Sequence, residues 1–152
     1  MEANRFAIEL LAPVNLLTQY LQIEPDLTVI GKMRTELKLS SEASARRYIE
    51  LHDEPLAMAF THEGKVRYVI SNRDEIKPCI RSGDHAPILP KANSKTTITE
   101  FEETISSDWF STSPSSKIFV QTRYQQNGYA MSLITFDDDE ISEDASDKDY
   151  AY

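Results

Sequence analysis

Cysteine, histidine and glycine are all scarce in this sequence. Its 152 residues contain one cysteine, three histidines and four glycines. The single cysteine, Cys79, cannot form a disulfide within the chain, which is typical of proteins from a reducing cytoplasm. The four glycines are too widely spaced for a phosphate-binding loop or a glycine-rich dinucleotide turn. This scarcity excludes disulfide-stabilised scaffolds and the common nucleotide-binding motifs.

Long apolar runs are missing as well. The longest one, residues 56–60, is far shorter than the roughly 20 residues that a helix needs to cross a bilayer. The first five residues also lack the basic and then apolar order of a signal peptide. We therefore expect a cytoplasmic protein without a membrane segment.

The histidines do not form a zinc-peptidase motif. His52, His62 and His85 lie far apart in the sequence. The H-E-x-x-H motif needs two histidines one helical turn apart and a glutamate after the first. The one His-Glu pair is His62-Glu63, at a predicted hairpin tip, and Val66 occupies the position of the second histidine. We predict no catalytic and no cofactor-binding residues in this chain.

The negative charge is concentrated at the C-terminus. The chain has 16 basic and 25 acidic residues, a net charge of −9. Residues 137–152 hold eight acids and one lysine, a net of −7, so the other 136 residues carry −2. With Ile141 as its one large aliphatic side chain, this segment cannot bury enough apolar surface to offset the entropy of ordering. We expect a disordered, solubilising tail, and a tail that binds a partner or mimics nucleic acid is the alternative.

Apolar residues recur at helical spacing through the first 52 residues. The stripe within residues 3–11 predicts a helix that ends before Pro13, and Pro13 suits the first turn of a second helix reaching Leu21. Asp26 is a suitable N-cap for a third helix, and Ser40 or Ser41 for a fourth. The third and fourth helices would turn inward Leu27, Ile30, Met33, Leu37, Ala45, Tyr48, Ile49 and His52.

After Pro55 the apolar period changes from that of a helix to that of a strand. Alternating segments flank Glu63-Gly64 and again Asn127-Gly128, which predicts two hairpins. Asn-Gly tolerates positive φ at both central positions of a tight turn. Residues 72–115 hold four of the seven prolines and predict loops, with a short strand near 98–105.

These patterns predict an α+β protein. Its N-terminal helices, which include a helix-turn-helix-like pair, would precede an antiparallel sheet of two or more hairpins. The predicted organisation is a helical segment over residues 1–53, a β-rich domain over 54–136 and the acidic tail over 137–152.

Three positions have both a functional and a plain structural interpretation. Cys79 is either a nucleophile or, as we expect, a packed or partly exposed thiol. His85 is either a ligand or a surface histidine, and we expect the latter. Trp109 and Phe110 are either a platform for ligand stacking or, as we expect, a hydrophobic anchor for the long loop.

The third and fourth helices, residues 26–37 and 41–52, resemble a helix-turn-helix in length and turn. Reading DNA would require basic and polar residues near the start of the second helix of the pair. That helix offers a mixed set, including Glu42, Arg46 and Arg47. A nearly neutral body and an acidic tail also oppose attraction to phosphates. We therefore expect a helical scaffold and no nucleic-acid partner.

Three segments of the first 60 residues carry a family resemblance. Residues 2–13 read E-A-N-R-F-A-I-E-L-L-A-P, and residues 39–47 hold Leu-Ser-Ser-Glu-Ala followed by Arg46-Arg47. The third is Asp53-Glu54-Pro55, which precedes the strands. The first segment resembles the pattern E-A-N-x-F-A-x-x-L-L-x-P that follows the H-E-x-x-H helix in the ImmA/IrrE family of zinc metallopeptidases. The others resemble that family's downstream helix pair and its longer members. The resemblance covers residues 1–60 well and 61–136 loosely, and the tail matches nothing.

The resemblance implies a zinc site of which this chain holds one part. In the family, two histidines and a glutamate on one helix hold zinc and activate water, and an acidic ligand comes from the helix that begins here. Glu2 is the best match for that metal ligand, and its plain interpretation is a favourable acid in the first turn of a helix. Because the H-E-x-x-H helix is absent, the resemblance implies a C-terminal portion that is inactive and binds no cofactor alone. Zinc belongs to the complete family fold.

From the resemblance we expect a non-catalytic, regulatory part of a bacterial peptidase that cleaves or controls transcriptional repressors. Its partner would be a repressor or the missing peptidase half. A homodimer through the exposed first helix is a further interpretation. The rival hypothesis is a stand-alone module, with a small sheet and no catalysis, that binds a ligand or a protein. Neither hypothesis involves a membrane.

Overall fold

The computed structural model describes residues 14–87, 89–91 and 97–137. The helix predicted within residues 3–11, the metal ligand Glu2 and residues 138–152 of the predicted tail lie outside these ranges. In the described part, three helices precede an antiparallel sheet, which confirms the predicted α+β class.

The helices are α1 (Val14–Leu21), α2 (Leu27–Leu37) and α3 (Ser41–Leu51). The side chain of Asp26 accepts a hydrogen bond from the backbone N–H of Thr28, and so caps α2 as predicted.

Ser40 is the cap of α3. Its hydroxyl oxygen accepts a hydrogen bond from the backbone N–H of Ala43, 3.1 Å away. Lys38 ends α2 with a left-handed φ of 55°. This residue reverses the chain over the short turn that separates the helix pair.

The described residues form seven strands, in chain order β1 (Leu56–His62), β2 (Lys65–Ser71), β3 (Lys77–Pro78), β4 (Glu102–Ile105), β5 (Phe110–Thr112), β6 (Lys117–Tyr124) and β7 (Tyr129–Phe136). Five of them form one antiparallel sheet in the order β2-β1-β7-β6-β4, and β3 pairs with β5 in a second sheet. The pairing of β1 with β7 joins the first and the last of the described strands.

Both predicted hairpins are present. Glu63 and Gly64 have φ angles of 52° and 80° at the tip between β1 and β2. Asn127 and Gly128 have φ angles of 61° and 81° between β6 and β7. The positive φ predicted at Asn127-Gly128 is confirmed, and the hairpin predicted around Glu63-Gly64 also turns with positive φ.

The helices cover one face of the five-stranded sheet and form the first core with it. Leu17 of α1, Ile30 and Met33 of α2, Tyr48 of α3 and Phe60 of β1 are all buried there. The helical segment and the β-rich segment therefore share this core through their described residues.

The opposite face of the sheet is covered by the long connection between β2 and β6. Trp109 and Phe110 from this connection pack against Ala57, Ile118 and Ile134 of the sheet. Every residue of β1 from Leu56 to Thr61 is consequently buried. The larger residues of β1, Leu56, Met58 and Phe60, face the first core, and the smaller Ala57 and Ala59 face the second. Neither side of the strand faces solvent.

Candidate functional site

The structure keeps the three histidines apart. His52 follows α3 and is 6% exposed, whereas His62 ends β1 and stacks on the ring of Tyr129 with centroids 4.2 Å apart. His85 is exposed and its backbone bridges to Lys65. In residues 14–87, 89–91 and 97–137, no group of three or more His, Cys, Asp or Glu side chains could hold a metal ion. This part of the chain does not fit the zinc site of the family.

The structure places Cys79 at the surface and Trp109 in a core. Cys79 is an exposed free thiol, and its sulfur lies 3.7 Å from the backbone carbonyl of Ser107. Trp109 is completely buried in the second core and anchors the long connection to the sheet.

The structure shows where the basic side chains of the helix pair α2–α3 lie. Arg47 is 1% exposed, so its guanidinium is unavailable to a phosphate or base. The guanidinium of Arg46 lies 4.8 Å from the ring centroid of Tyr68 on β2. Arg67, also on β2, forms an ion pair with Glu42 of α3. Of the two arginines of α3, Arg47 is therefore buried, whereas Arg46 is exposed and contacts Tyr68.

A strand residue, Gln121 of β6, forms buried hydrogen bonds with the start of α2. Gln121 of β6 is 4% exposed, and its side-chain oxygen accepts a hydrogen bond of 2.8 Å from the backbone N–H of Leu27. Its amide nitrogen donates to the carboxylate of Asp26 over 3.3 Å. These two bonds fix the start of α2 on the sheet, because a buried amide left unpaired would be costly.

A cleft of about 720 Å³ opens beside this start of α2. Phe101, Phe119 and Phe136 are among the residues that line it. The remaining lining residues are Ile23, Glu24, Pro25, Asp26, Thr28, Val29, Glu54, Pro55, Thr135 and Asp137. The described lining thus combines apolar rings with carboxylates and contains no basic side chain, which suits a ligand with an apolar body and a positive group.

At the other end of the same contact lie two arginines. Arg123 points from β6 toward α2, because its antiparallel partner Met131 is in the first core and opposed residues share a face. Burial lowers the pKa of Arg123, and the charge of Arg34 on α2 lowers it further. The positive charge of Arg34 therefore acts on the guanidinium of Arg123.

Sequence reasoning missed Gln121, Arg123 and Arg34. In β6 it followed the apolar phase of Ile118 and Val120, which faces the second core. Gln121 and Arg123 lie on the other side of the strand, and in the sequence they look like ordinary polar residues that face solvent. No signal in the sequence separates these positions from solvent-facing ones, because one face of an antiparallel sheet is commonly exposed to water.

Comparison with known proteins adds no relatives. No protein-family model matches the chain, and no curated protein matches it. Among the described residues, none of the helices has the length and apolar character required to cross a membrane.

Proposed function

We propose that this chain is the C-terminal, non-catalytic part of an ImmA/IrrE-like zinc metallopeptidase. The role of that family is the regulated cleavage or control of transcriptional repressors. The observation that carries the proposal is the segment at residues 2–13, in which the Asn, the aromatic residue and the Leu-Leu-x-Pro ending occur together as in the family pattern.

The contacts of the described helices support a fixed arrangement of such a part. Gln121 and the Asp26 cap hold α2 on β6, and the ion pair from Arg67 to Glu42 holds α3 on β2. On α1, Leu17 is buried while Leu16 is 48% exposed. In this proposal a peptidase half, a repressor or a second copy of the chain packs on the N-terminal helices.

A stand-alone binding module is the second candidate function. The cleft between Phe101, Phe119 and the start of α2 favours it, because a concave site with aromatic walls and a few polar groups is the usual form of a ligand site. In this case the chain binds its ligand or protein partner without any peptidase half.

Translation of the DNA upstream of Met1 distinguishes the two candidates. The peptidase proposal expects an in-frame H-E-x-x-H motif some 20–40 codons before Met1, or on a neighbouring gene whose product binds this chain. If the genomic region has neither the in-frame motif nor such a neighbouring gene, the peptidase proposal is wrong and the stand-alone module takes its place.

Zinc analysis of the purified chain tests the non-catalytic part of the proposal. We expect less than stoichiometric zinc and no proteolysis, because a catalytic zinc normally needs three protein ligands and a water. Glu2→Ala should leave the small zinc content unchanged, as should the matched control Glu9→Ala. Zinc bound one to one, removed by a chelator and abolished by Glu2→Ala alone, would contradict the proposal.

A further inference from the structure

We propose that Arg34 and Arg123 form a binding site for an oxyanion, a phosphate or carboxylate group, at the contact between α2 and β6. The site is independent of the family proposal and lies apart from the aromatic cleft. It rests on the geometry of two elements and on the absence of a partner for either guanidinium among the described residues.

Gly31 brings the two arginines together. A guanidinium nitrogen of Arg123, Nη1, lies 3.5 Å from the position that a Cβ atom on Gly31 would take. Arg34 follows Gly31 by three residues and so lies on the same face of α2. Because Gly31 has no side chain, the guanidinium of Arg123 lies against the helix beside Arg34.

The positive charges of this pair are not balanced within the described structure. The Nε atom of Arg34 is buried and has no hydrogen-bond partner. No described acidic side chain forms an ion pair with Arg34 or Arg123. Two like charges that are partly removed from water repel each other and leave N–H donors unsatisfied. A bound oxyanion would relieve both costs.

The position of Arg34 alone has a simpler explanation, but the pair does not. Arg34 lies in the last turn of α2, where the helix dipole favours a cation. That effect does not account for a second arginine directed at the same place from β6. Gln121, two residues before Arg123, holds the start of α2 on this strand. Paired guanidinium forks match the oxygens of phosphate and carboxylate groups.

Thermal unfolding with increasing inorganic phosphate, at constant ionic strength set with chloride, tests the site. We expect the midpoint of the wild-type chain to rise with a saturable dependence, since a ligand that binds the folded state stabilises it. Arg34→Gln and Arg123→Gln should weaken the apparent phosphate affinity by about tenfold or more, the loss expected for one charge-assisted contact. Arg81→Gln, which removes an exposed arginine elsewhere, should behave like the wild type.

Two comparisons make the test specific. Phosphate also strengthens apolar burial in general, but that effect is common to all four chains and cancels in their difference. Without phosphate, both glutamine variants should be at least as stable as the wild type, because they remove repulsion. Equal saturable rises in all four chains, or a large loss of stability without phosphate, would overturn the site.

A chain that ends after Asp137 identifies the source of the anion. If it binds phosphate more tightly than the full chain, in an arginine-dependent way, the carboxylates of residues 138–152 compete for the site. If both chains bind phosphate equally, the site takes a free anion. Both results support the oxyanion site, and arginine-dependent binding in neither chain would contradict it.

Discussion

Trp109 is the largest of the completely buried side chains in the described structure. It comes from the connection between β2 and β6 and packs in the second core with Ala57 and Ile134. Its indole Nε1 is buried and makes no hydrogen bond. The contribution of Trp109 is therefore its apolar volume and not its polar group.

Replacement of Trp109 by alanine should destabilise the fold by about 3–5 kcal/mol, the usual cost of a large aromatic side chain removed from a core. Trp109→Phe should cost clearly less, because it keeps most of the ring and removes an unpaired N–H. Urea unfolding followed by far-ultraviolet circular dichroism measures both, since the single tryptophan is lost as a fluorescent reporter. Similar losses in the two variants would show that the N–H has a partner.

His52 couples stability to pH. Burial lowers its pKa, the neighbouring charge of Asp53 opposes this shift, and Arg73 adds to it. Its Nδ1 accepts a hydrogen bond of 3.1 Å from the backbone N–H of Glu54, which requires that nitrogen to be unprotonated. Because the unfolded chain takes up a proton near the ordinary histidine pKa of about 6.5 and the folded chain does so only at lower pH, stability falls as the pH drops below that value.

We expect His52→Asn to reduce the loss of unfolding free energy between pH 7 and pH 5, since asparagine keeps an acceptor but does not titrate. The control is His85→Asn, at an exposed position. Its unfolding free energy should fall between pH 7 and pH 5 by as much as that of the wild type. Denaturant unfolding at the two pH values measures this. Parallel pH profiles for wild type and His52→Asn would show that other groups carry the dependence.

At the scale of elements, α2 is held at its start by a side chain from a distant strand. Asp26 caps the helix and accepts a further hydrogen bond from Gln121, which also binds the backbone of Leu27. The cap is a local feature, and the strand contact joins residues more than 90 positions apart. Helix and sheet therefore stabilise each other at this point.

Asp26→Ala should destabilise the protein by about 0.5–2 kcal/mol, because it leaves the N–H of Thr28 without its cap. Asp74→Ala is the matched control: it removes the same charge from an exposed position outside the helices and should have little effect. The comparison uses urea midpoints of the two variants. An equal small effect in both would mean that water replaces the cap without cost.

At the scale of the whole molecule, the described structure ends at Asp137, the first residue of the predicted acidic tail. Asp137 is part of the described structure: its backbone N–H donates to the carbonyl of Lys117, and its carboxylate lies 3.8 Å from the Lys117 ammonium. A deletion that keeps these two contacts starts at residue 138 and removes seven acids and one lysine, a net of −6.

A chain that ends after Asp137 should fold as the full chain does but be less soluble near neutral pH. Its net charge falls in magnitude from −9 to −3, which weakens repulsion between molecules. The unfolding midpoint should move by less than about 2 °C, which corresponds to well under 1 kcal/mol in a chain of this size. Calorimetry and precipitation assays measure the two effects. A loss of several degrees would show that Tyr150 or Tyr152 packs on the fold.

The sequence by itself determined the features that depend on neighbours along the chain. The helix caps at Asp26 and Ser40 and the positive φ at Asn127-Gly128 follow from local hydrogen bonding and sterics. The change of apolar period near Pro55 marked where helices give way to strands. These are short-range effects, so the residue types at fixed spacings suffice to predict them.

Only the tertiary structure decided which distant residues meet. The pairing of β1 with β7 and the cover of the sheet on both faces depend on chain closure over many residues. The same closure buried Arg47 and brought Arg123 beside Arg34. Polar residues look alike in a sequence whether they face water or another element, because the cost of burying them arises only when the partner surface is in place.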